Sequence, residues 1–274
     1  MSMRLLPKSF IYLSLLISAL IVAFPLLYTL SNSMMSEAES AVYPPPLLPS
    51  ALNMDNFAKV IDTIPVLRFI GNSMFVSVSI MVGQIITASL AAYAFAFLRF
   101  PGKTLLFSLF LATMMVPWEV IMIPNYLTVK SLNWLDSYTG LIVPFLATAF
   151  GTFLLRQYFM QLPKELFEAA RVDGCGHLRM FLKLVMPLSL PGIATLGVYS
   201  FLNNWNMYLW PLLTTNREEM RTVQIGIGML QFEEMNSWNL ILAGVLTLLL
   251  PSLLLLALGL KPLVRGITAG ALKG

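Results

Sequence analysis

Side chains able to do acid–base, redox or metal chemistry are scarce in this chain of 274 residues. Its single histidine is His177 and its single cysteine is Cys175, so the chain can form neither a zinc site of His and Cys ligands nor an internal disulfide. The string PGKT at 101–104 resembles part of a phosphate-binding loop, but Phe97 stands where that loop needs a glycine. We therefore expect no catalysis, no bound metal and no cofactor in the chain itself.

Glu119 is the one acidic residue inside a strongly apolar stretch, and a proline stands on either side of it, Pro117 and Pro124. A charge at the centre of a bilayer costs roughly 2.5 to 3.5 kcal/mol on insertion scales, so such residues usually face a cavity or a partner. The two prolines can break the helix and free backbone groups that line such a cavity. Alternatively, the helix ends near Pro117 and Glu119 lies at the outer interface of the membrane.

A second polar cluster stands near the end of another apolar stretch and contains three amides, Asn203, Asn204 and Asn206, beside Trp205. A tryptophan near the membrane boundary is typical of an aromatic belt. Amides in lipid need a hydrogen-bond partner or water, so these residues either pack between helices or line a substrate pathway.

The composition indicates a protein whose solvent is mostly lipid. Hydrophobic residues make up 58% of the chain and charged residues only 11%, whereas roughly 25% of a soluble domain is charged. The net charge of +4 does not indicate nucleic-acid binding, because the basic residues are spread between apolar segments and form no stripe.

Six apolar segments are long enough to cross a bilayer, which takes about 20 helical residues, and we expect one transmembrane domain over residues 1–274. The first is longer than the roughly 7 to 15 apolar residues of a signal peptide, so we expect a retained helix. Residues 31–68 are polar and cannot cross the membrane, and residues 214–238 are predicted to form a polar loop; we expect both segments on the external side. The predicted spans are 9–30, 70–97, 104–127, 138–158, 190–213 and 239–260.

The distribution of basic residues predicts the orientation of these spans in the membrane. With both termini inside, the inner segments hold 12 of the 17 basic residues, and the positive-inside rule then predicts cytoplasmic termini. The inner basic residues are Arg4, Lys8, Arg99, Lys103, Arg156, Lys164, Arg171, Arg179, Lys183, Lys261, Arg265 and Lys273.

One stretch, residues 163–188, is long and charged yet cannot cross a membrane. Pro163 suits a helix start, and Gly174 suits a left-handed helix exit. Apolar residues lie at helical spacing on both sides of Gly174, among them Phe167 and Phe181. The pattern predicts two short helices joined at Gly174, which need the groove of a partner.

The spacing within this stretch resembles the EAA loop of permease subunits of binding-protein-dependent ABC importers. The match is Glu168-Ala169-Ala170, three residues, Gly174, nine residues, then Leu184-Val185-Met186-Pro187. Residues 135–174 are most similar to the second permease subunit of sn-glycerol 3-phosphate importers, and the tail 265–270 also fits the family.

The resemblance implies an all-α membrane protein with six transmembrane helices, the type I ABC importer permease fold and cytoplasmic EAA coupling helices. It implies docking of Glu168 into an ATPase cleft, while Asp173 helps to end the first helix and His177 lies near the ATPase as a surface contact. The implied docking residues are Glu168, Ala169, Ala170, Asp173, Gly174, Leu184 and Pro187.

The resemblance also implies the partner proteins and the cellular location. These are a homologous permease, two ATP-binding subunits that hold ATP and Mg, and an extracytoplasmic solute-binding protein, in the plasma (inner) membrane of a bacterium. The implied substrate is sn-glycerol 3-phosphate or a glycerophosphodiester, with a sugar or oligosaccharide as the alternative. An ion-coupled secondary transporter is the alternative of another class, with Glu119 alone to support it.

Overall fold

The computed structural model describes residues 8–233 and 237–271, with side chains for 9–231, 237–254 and 257. Every regular element within these ranges is a helix, so the predicted all-α class is confirmed. The α-helices are α1 (Lys8–Ser33), α2 (Glu37–Ser40), α3 (Asp55–Thr63), α4 (Val66–Phe97), α5 (Lys103–Ala112), α6 (Trp118–Ser131), α7 (Tyr138–Ile142), α8 (Ala149–Met160), α9 (Lys164–Val172), α10 (His177–Met180), α11 (Met186–Leu188), α12 (Leu190–Trp205), α13 (Leu209–Thr214), α14 (Val223–Glu233) and α15 (Trp238–Ala271).

The backbone contacts group the chain into two compact units. One combines the chain up to Val66 with Gly226–Leu250, and the other combines Leu67–Ile225 with the chain from Pro251 onward. In the first unit, α1 is strongly apolar and exposed along most of its length, as a helix facing lipid is, and of its described side chains only the last two, Asn32 and Ser33, are buried.

Both polar segments contain helices, and for residues 214–238 this corrects the expectation of a loop. Residues 31–68 contain α2 and α3, held by Asn56, whose Nδ2 donates to the carbonyl oxygens of Ser33 and Met35 at 2.8 Å each. Residues 214–238 contain α14, in which Ile225 and Leu230 are buried. The prediction went wrong because the charged residues at the ends of the second segment mask its apolar centre.

Three predicted spans are broken rather than continuous. The third bends by 97° between Met115 and Trp118, and the fourth bends by 45° between Phe145 and Ala149. The fifth ends at Trp205, before the short helix α13. Proline explains the first break, because Pro117 has no N–H to donate and its ring disfavours helical backbone at the residue before it.

The number of membrane crossings remains a prediction. Of the described residues, two helices are long and apolar enough to cross alone, and up to five crossings result if each of three bent pairs counts as one. The sixth predicted span, 239–260, lies in α15, but most side chains beyond residue 254 fall outside the described set. The predicted tail and the first seven residues fall outside it too, apart from the backbone of α15.

Two apolar clusters of the second unit position the polar groups that matter for function. One gathers α4, α8, α9 and the helix after Gly174 around Ala92, Leu155 and Phe159, which are fully buried. The other surrounds Trp210, whose indole Nε1 donates to the carbonyl oxygen of Gly140 at 3.0 Å.

Candidate functional site

The stretch 163–188 folds into the two predicted helices, and Gly174 ends the first of them. Gly174 has a φ of +72°, its N–H donates to Arg171 O at 3.0 Å, and the N–H of Cys175 donates to Ala170 O at 2.8 Å. This pair of bonds is the Schellman motif, in which a left-handed residue satisfies carbonyls at the helix end. The predicted left-handed exit at Gly174 is confirmed, and Asp173 is the C-cap residue.

The first docking helix, α9, divides its residues between two faces. Phe167 and Ala170 are buried against the apolar cluster, and the rings of Phe97 and Phe167 lie 4.5 Å apart. Glu168 and Ala169 are exposed. The motif therefore anchors α9 with one alanine and presents the glutamate and the other alanine outward.

The second docking helix runs from His177 to Leu188 through α10, a π-helical turn (Phe181–Val185) and α11. Within it Val185 is fully buried, Leu184 is half-buried and Pro187 is exposed. π-Helical turns are rare and occur often at functional sites. The sequence did not reveal this turn, because nothing in residue types distinguishes it from an ordinary helix.

His177 is exposed, as expected, but it also binds a residue that the sequence did not single out. Tyr93, buried near the end of α4, places its hydroxyl 3.0 Å from His177 Nδ1 and 3.1 Å from His177 O. A tyrosine in an apolar span was the available signal, because a buried hydroxyl needs a partner.

Cations hold the end of α4 beside the docking helices. Lys103 Nζ donates to Leu98 O at 2.9 Å and to Ala96 O at 3.3 Å, and Arg156 Nε donates to Phe95 O at 3.2 Å. Basic groups are favoured there because the carbonyls at a helix C-terminus carry partial negative charge. The PGKT string is thus a turn whose lysine caps α4.

A cavity of about 450 Å³ lies beside this capped end and α9, and five of its lining side chains are charged. Glu168 lies on its wall among four basic side chains. The charged lining residues are Arg99, Lys103, Lys164, Glu168 and Arg171.

A second cavity, of about 560 Å³, lies where the broken helices meet. Its wall includes residues on both sides of the breaks after α5 and α7, and the end of α12. No lining residue is charged; this amide-lined cavity carries seven uncharged polar side chains. They are Gln84, Thr113, Asn125, Thr148, Asn203, Asn204 and Asn206.

Helix α4 satisfies carbonyls that one of these breaks frees. Gln84 Nε2 donates to Phe145 O at 2.8 Å, and Thr87 Oγ1 donates to Leu146 O at 2.7 Å. A carbonyl away from water needs such a donor, so these bonds let the chain break at membrane depth. The sequence reasoning missed Gln84, although an uncharged amide in the middle of an apolar span was a usable signal.

The structure brings together three of the five predicted pathway residues, the amides of the fifth span. Trp205 is buried at 1% exposure and stacks on Phe201 with ring centres 5.5 Å apart, outside the cavity wall. Glu119 is also outside the wall; it is exposed in the first turn of α6, where a negative charge suits the helix N-terminus.

Among the described residues no group of three or more His, Cys, Asp and Glu could hold a metal ion.

A match to a family of transport proteins follows the same part of the chain. The sequence model of the "Binding-protein-dependent transport system inner membrane component" family covers residues 83–261, which contain both cavities and the docking helices. The chain belongs to this family. The prediction of a membrane permease of a binding-protein-dependent ABC importer is thereby confirmed.

Curated relatives agree over nearly the full length. The sn-glycerol-3-phosphate transport system permease protein UgpE of Rhizobium meliloti (strain 1021) is 35% identical over 265 residues, 93% of this chain and 94% of the relative. The protein of the same name from Yersinia enterocolitica (serotype O:8 / biotype 1B, strain NCTC 13174 / 8081) is 36% identical over 266 residues, 94% of this chain and 95% of its own.

A solved structure supports the fold. A chain of a bacterial ABC transporter involved in the import of the acidic polysaccharide alginate aligns with a TM-score of 0.79 and 24% identity, covering 95% of this chain and 99% of that chain. A second chain, from the alginate transporter in complex with alginate pentasaccharide-bound periplasmic protein, gives a TM-score of 0.63 and 14% identity. At these identities the likeness establishes the importer permease fold alone.

Proposed function

We propose that this permease imports sn-glycerol 3-phosphate across the inner membrane of a bacterium, as one of two homologous permeases served by two ATP-binding subunits and a solute-binding protein. The choice of substrate rests on one observation. Along 93 to 94% of its length, the chain is 35 to 36% identical to permeases named for that solute. A glycerophosphodiester shares the same glycerol phosphate group and is the nearest second substrate.

The ATP-binding subunits dock on the stretch 163–188 and hold the ATP and Mg, while this chain catalyses nothing. Exposed Glu168 on a helix anchored by Phe167 and Ala170 supports this role, because a rigid helix transmits a push without bending. Gly174 sets the angle between the two docking helices. Docking on the inner side agrees with cytoplasmic termini, which the excess of basic residues in inner segments favours.

The amide-lined cavity forms this subunit's share of the translocation pathway. Broken helices at a cavity are a recurring construction in membrane transporters, because the ends of half-helices offer backbone groups to a solute. The wall here joins three helix interruptions and the amides Asn203, Asn204 and Asn206.

An oligosaccharide or other sugar is the second candidate substrate, and the absence of charge on the wall of the amide-lined cavity favours it. None of the lining side chains is charged, whereas a phosphate ester would gain from a basic residue. If sn-glycerol 3-phosphate is the substrate, its phosphate is bound by the partner permease or stays hydrated while amides contact the hydroxyls.

Uptake by the complete complex in proteoliposomes tests these alternatives. The complex, with its solute-binding protein, is offered labelled sn-glycerol 3-phosphate, a glycerophosphodiester and a neutral oligosaccharide. We expect ATP-dependent uptake of sn-glycerol 3-phosphate. Uptake of the oligosaccharide without the phosphate ester would reject the first substrate and support the second.

A matched pair of substitutions on α9 tests the docking role. Glu168→Ala should abolish copurification of the ATP-binding subunits or substrate-stimulated hydrolysis, because it removes the exposed carboxylate of the motif. Glu165→Ala removes an exposed carboxylate one turn earlier, outside the motif, and should leave both intact. Equal effects of the two would contradict a specific docking role for Glu168.

A further inference from the structure

The contact between Tyr93 and His177 joins helix α4 to the second docking helix. Tyr93 is 7% exposed, and its hydroxyl lies within hydrogen-bond distance of both Nδ1 and the carbonyl oxygen of His177. A tyrosine hydroxyl has one proton to give, and a carbonyl can only accept. Both contacts are satisfied together when Tyr93 donates to the carbonyl and Nδ1–H of His177 donates to the tyrosine.

The packing around the ring of Tyr93 is apolar. Phe181 presents its ring edge-on to Tyr93 with centres 5.3 Å apart, and Phe97 lies 5.2 Å away on the other side. Apolar contact is not directional, so it permits one helix to slide or turn on another. Hydrogen bonds weaken steeply away from their preferred geometry, so the pair fixes the angle that the apolar contact leaves free.

Helix α4 also reaches the amide-lined cavity. Gln84 stands nine residues before Tyr93 on α4, which places it about 13 Å away along the helix axis. There it donates to Phe145 O at the cavity wall. A rigid helix therefore carries a polar contact to the docking helix near one end and a polar contact to the cavity further along.

We propose that Tyr93 and His177 form a latch that makes α4 follow the second docking helix. The latch rests on the proposed function, and Tyr93 is a positioning residue: it touches neither nucleotide nor solute. Movement of the ATP-binding subunits shifts the docking helix, the latch turns α4 with it, and Gln84 transmits the shift to the break at Phe145. Without the latch the docking helix moves while α4 lags, so ATP is hydrolysed with less transport.

The test measures ATP hydrolysed per solute imported by the reconstituted complete complex, with whichever solute of the panel above the wild-type complex imports. Tyr93→Phe keeps the ring and removes the hydroxyl, and we expect the ratio to rise at least about threefold, because two hydrogen bonds are lost. Tyr199→Phe, an exposed tyrosine on α12, is the matched control and should not change the ratio.

Variants of His177 separate positioning from packing. His177→Ala should raise the ratio less than Tyr93→Phe, because the bond to the backbone carbonyl remains. His177→Asn should restore it, because the amide N–H takes the place of Nδ1–H. Since His177 is exposed, its substitution should not disturb folding, and these variants test the latch even if the Tyr93→Phe complex fails to assemble. An unchanged ratio in Tyr93→Phe, or equal ratios for the alanine and asparagine variants, would overturn the latch.

Wild-type import and the variants answer separate questions. The solute that the wild-type complex takes up decides the proposed substrate. The ratio among the variants decides the latch, whichever solute that is.

Discussion

The docking end of α4 and the amide-lined cavity are both polar, but they use different groups. At the docking end, cations cap the helix and charged residues line the cavity beside α9. Around the amide-lined cavity every lining residue is uncharged, and Gln84 and Thr87 do the capping. A charge at membrane depth costs several kcal/mol, whereas an amide bonded to a carbonyl costs little. This is the difference that the predicted membrane depths of the two regions require.

The largest effect is expected from a change of conformation at the docking end. Gly174→Leu forces a residue with a β-carbon into left-handed backbone, which costs about 1–2 kcal/mol and lowers the equilibrium constant between the correctly bent loop and other conformations roughly 5- to 30-fold. A β-carbon at Gly174 would meet no atom within 4 Å, so the cost is conformational and not steric. We expect loss of ATPase copurification and of most uptake.

Gly176 offers the matched control for that change. It also has open space around it, but its φ of −71° and ψ of 163° suit any residue. Gly176→Ala should keep copurification and uptake near wild type. If both glycine variants fail, the left-handed bend is not what docking requires.

The bend at Gly174 shows which parts of the molecule the sequence could predict. A Schellman ending needs a glycine and the turn before it, so the pattern is contained in neighbouring residues. The amide-lined cavity has no such local signature, since Gln84, Asn125 and Asn203 meet only after three helices have packed. Asn203, Asn204 and Asn206 were predicted from clustering in one span, whereas no neighbouring amide stands beside Gln84 or Asn125 in the sequence.

The same distinction explains the residues that were placed wrongly or left undecided. Helix α14 was missed because the charged residues around it hid its short apolar run. Glu119 was weighed as a cavity residue because composition cannot tell which side of a break a side chain faces. Tyr93 was overlooked because its partner stands 84 residues away in the chain.

A smaller effect is expected from the cavity side of the comparison. Gln84→Leu leaves Phe145 O without its donor, which should lower the stability of the purified protein by about 1–3 kcal/mol, measured by thermal unfolding in detergent. Thr195→Val, which loses only an exposed bond to Pro191 O in its own helix, should stay within about 0.5 kcal/mol. Equal stability in both variants would show that the break does not depend on α4.

The smallest effect is expected from a carboxylate placed in a loop, outside the spans. Burial alone would raise the pKa of Asp136, but the N–H groups of Arg217 and Asn216, 2.8 and 2.6 Å from its Oδ1, hold it below its ordinary value of 3.8. A lowered pKa means that this stabilisation is complete above 3.8 and is lost as the pH falls through the lower folded value.

Unfolding curves measured from neutral pH to well below 3.8 test this point. The wild type should lose slightly more stability over that range than Asp136→Asn, which cannot titrate. Identical pH dependence in the two proteins would mean that the bonds to Asp136 contribute nothing.

The central claim is that ATP-driven movement at the docking helices changes the access of water to the amide-lined cavity. Labelling of the cavity by an aqueous thiol reagent tests this claim most directly. Asn203→Cys is labelled in a Cys175→Ser background within the complete complex, with and without ATP trapping. Ser77→Cys, on a fully buried position of α4, is the control and should stay unlabelled in both states. The account predicts labelling at residue 203 that changes severalfold between the two states. Labelling that is absent, or the same in both, would contradict it.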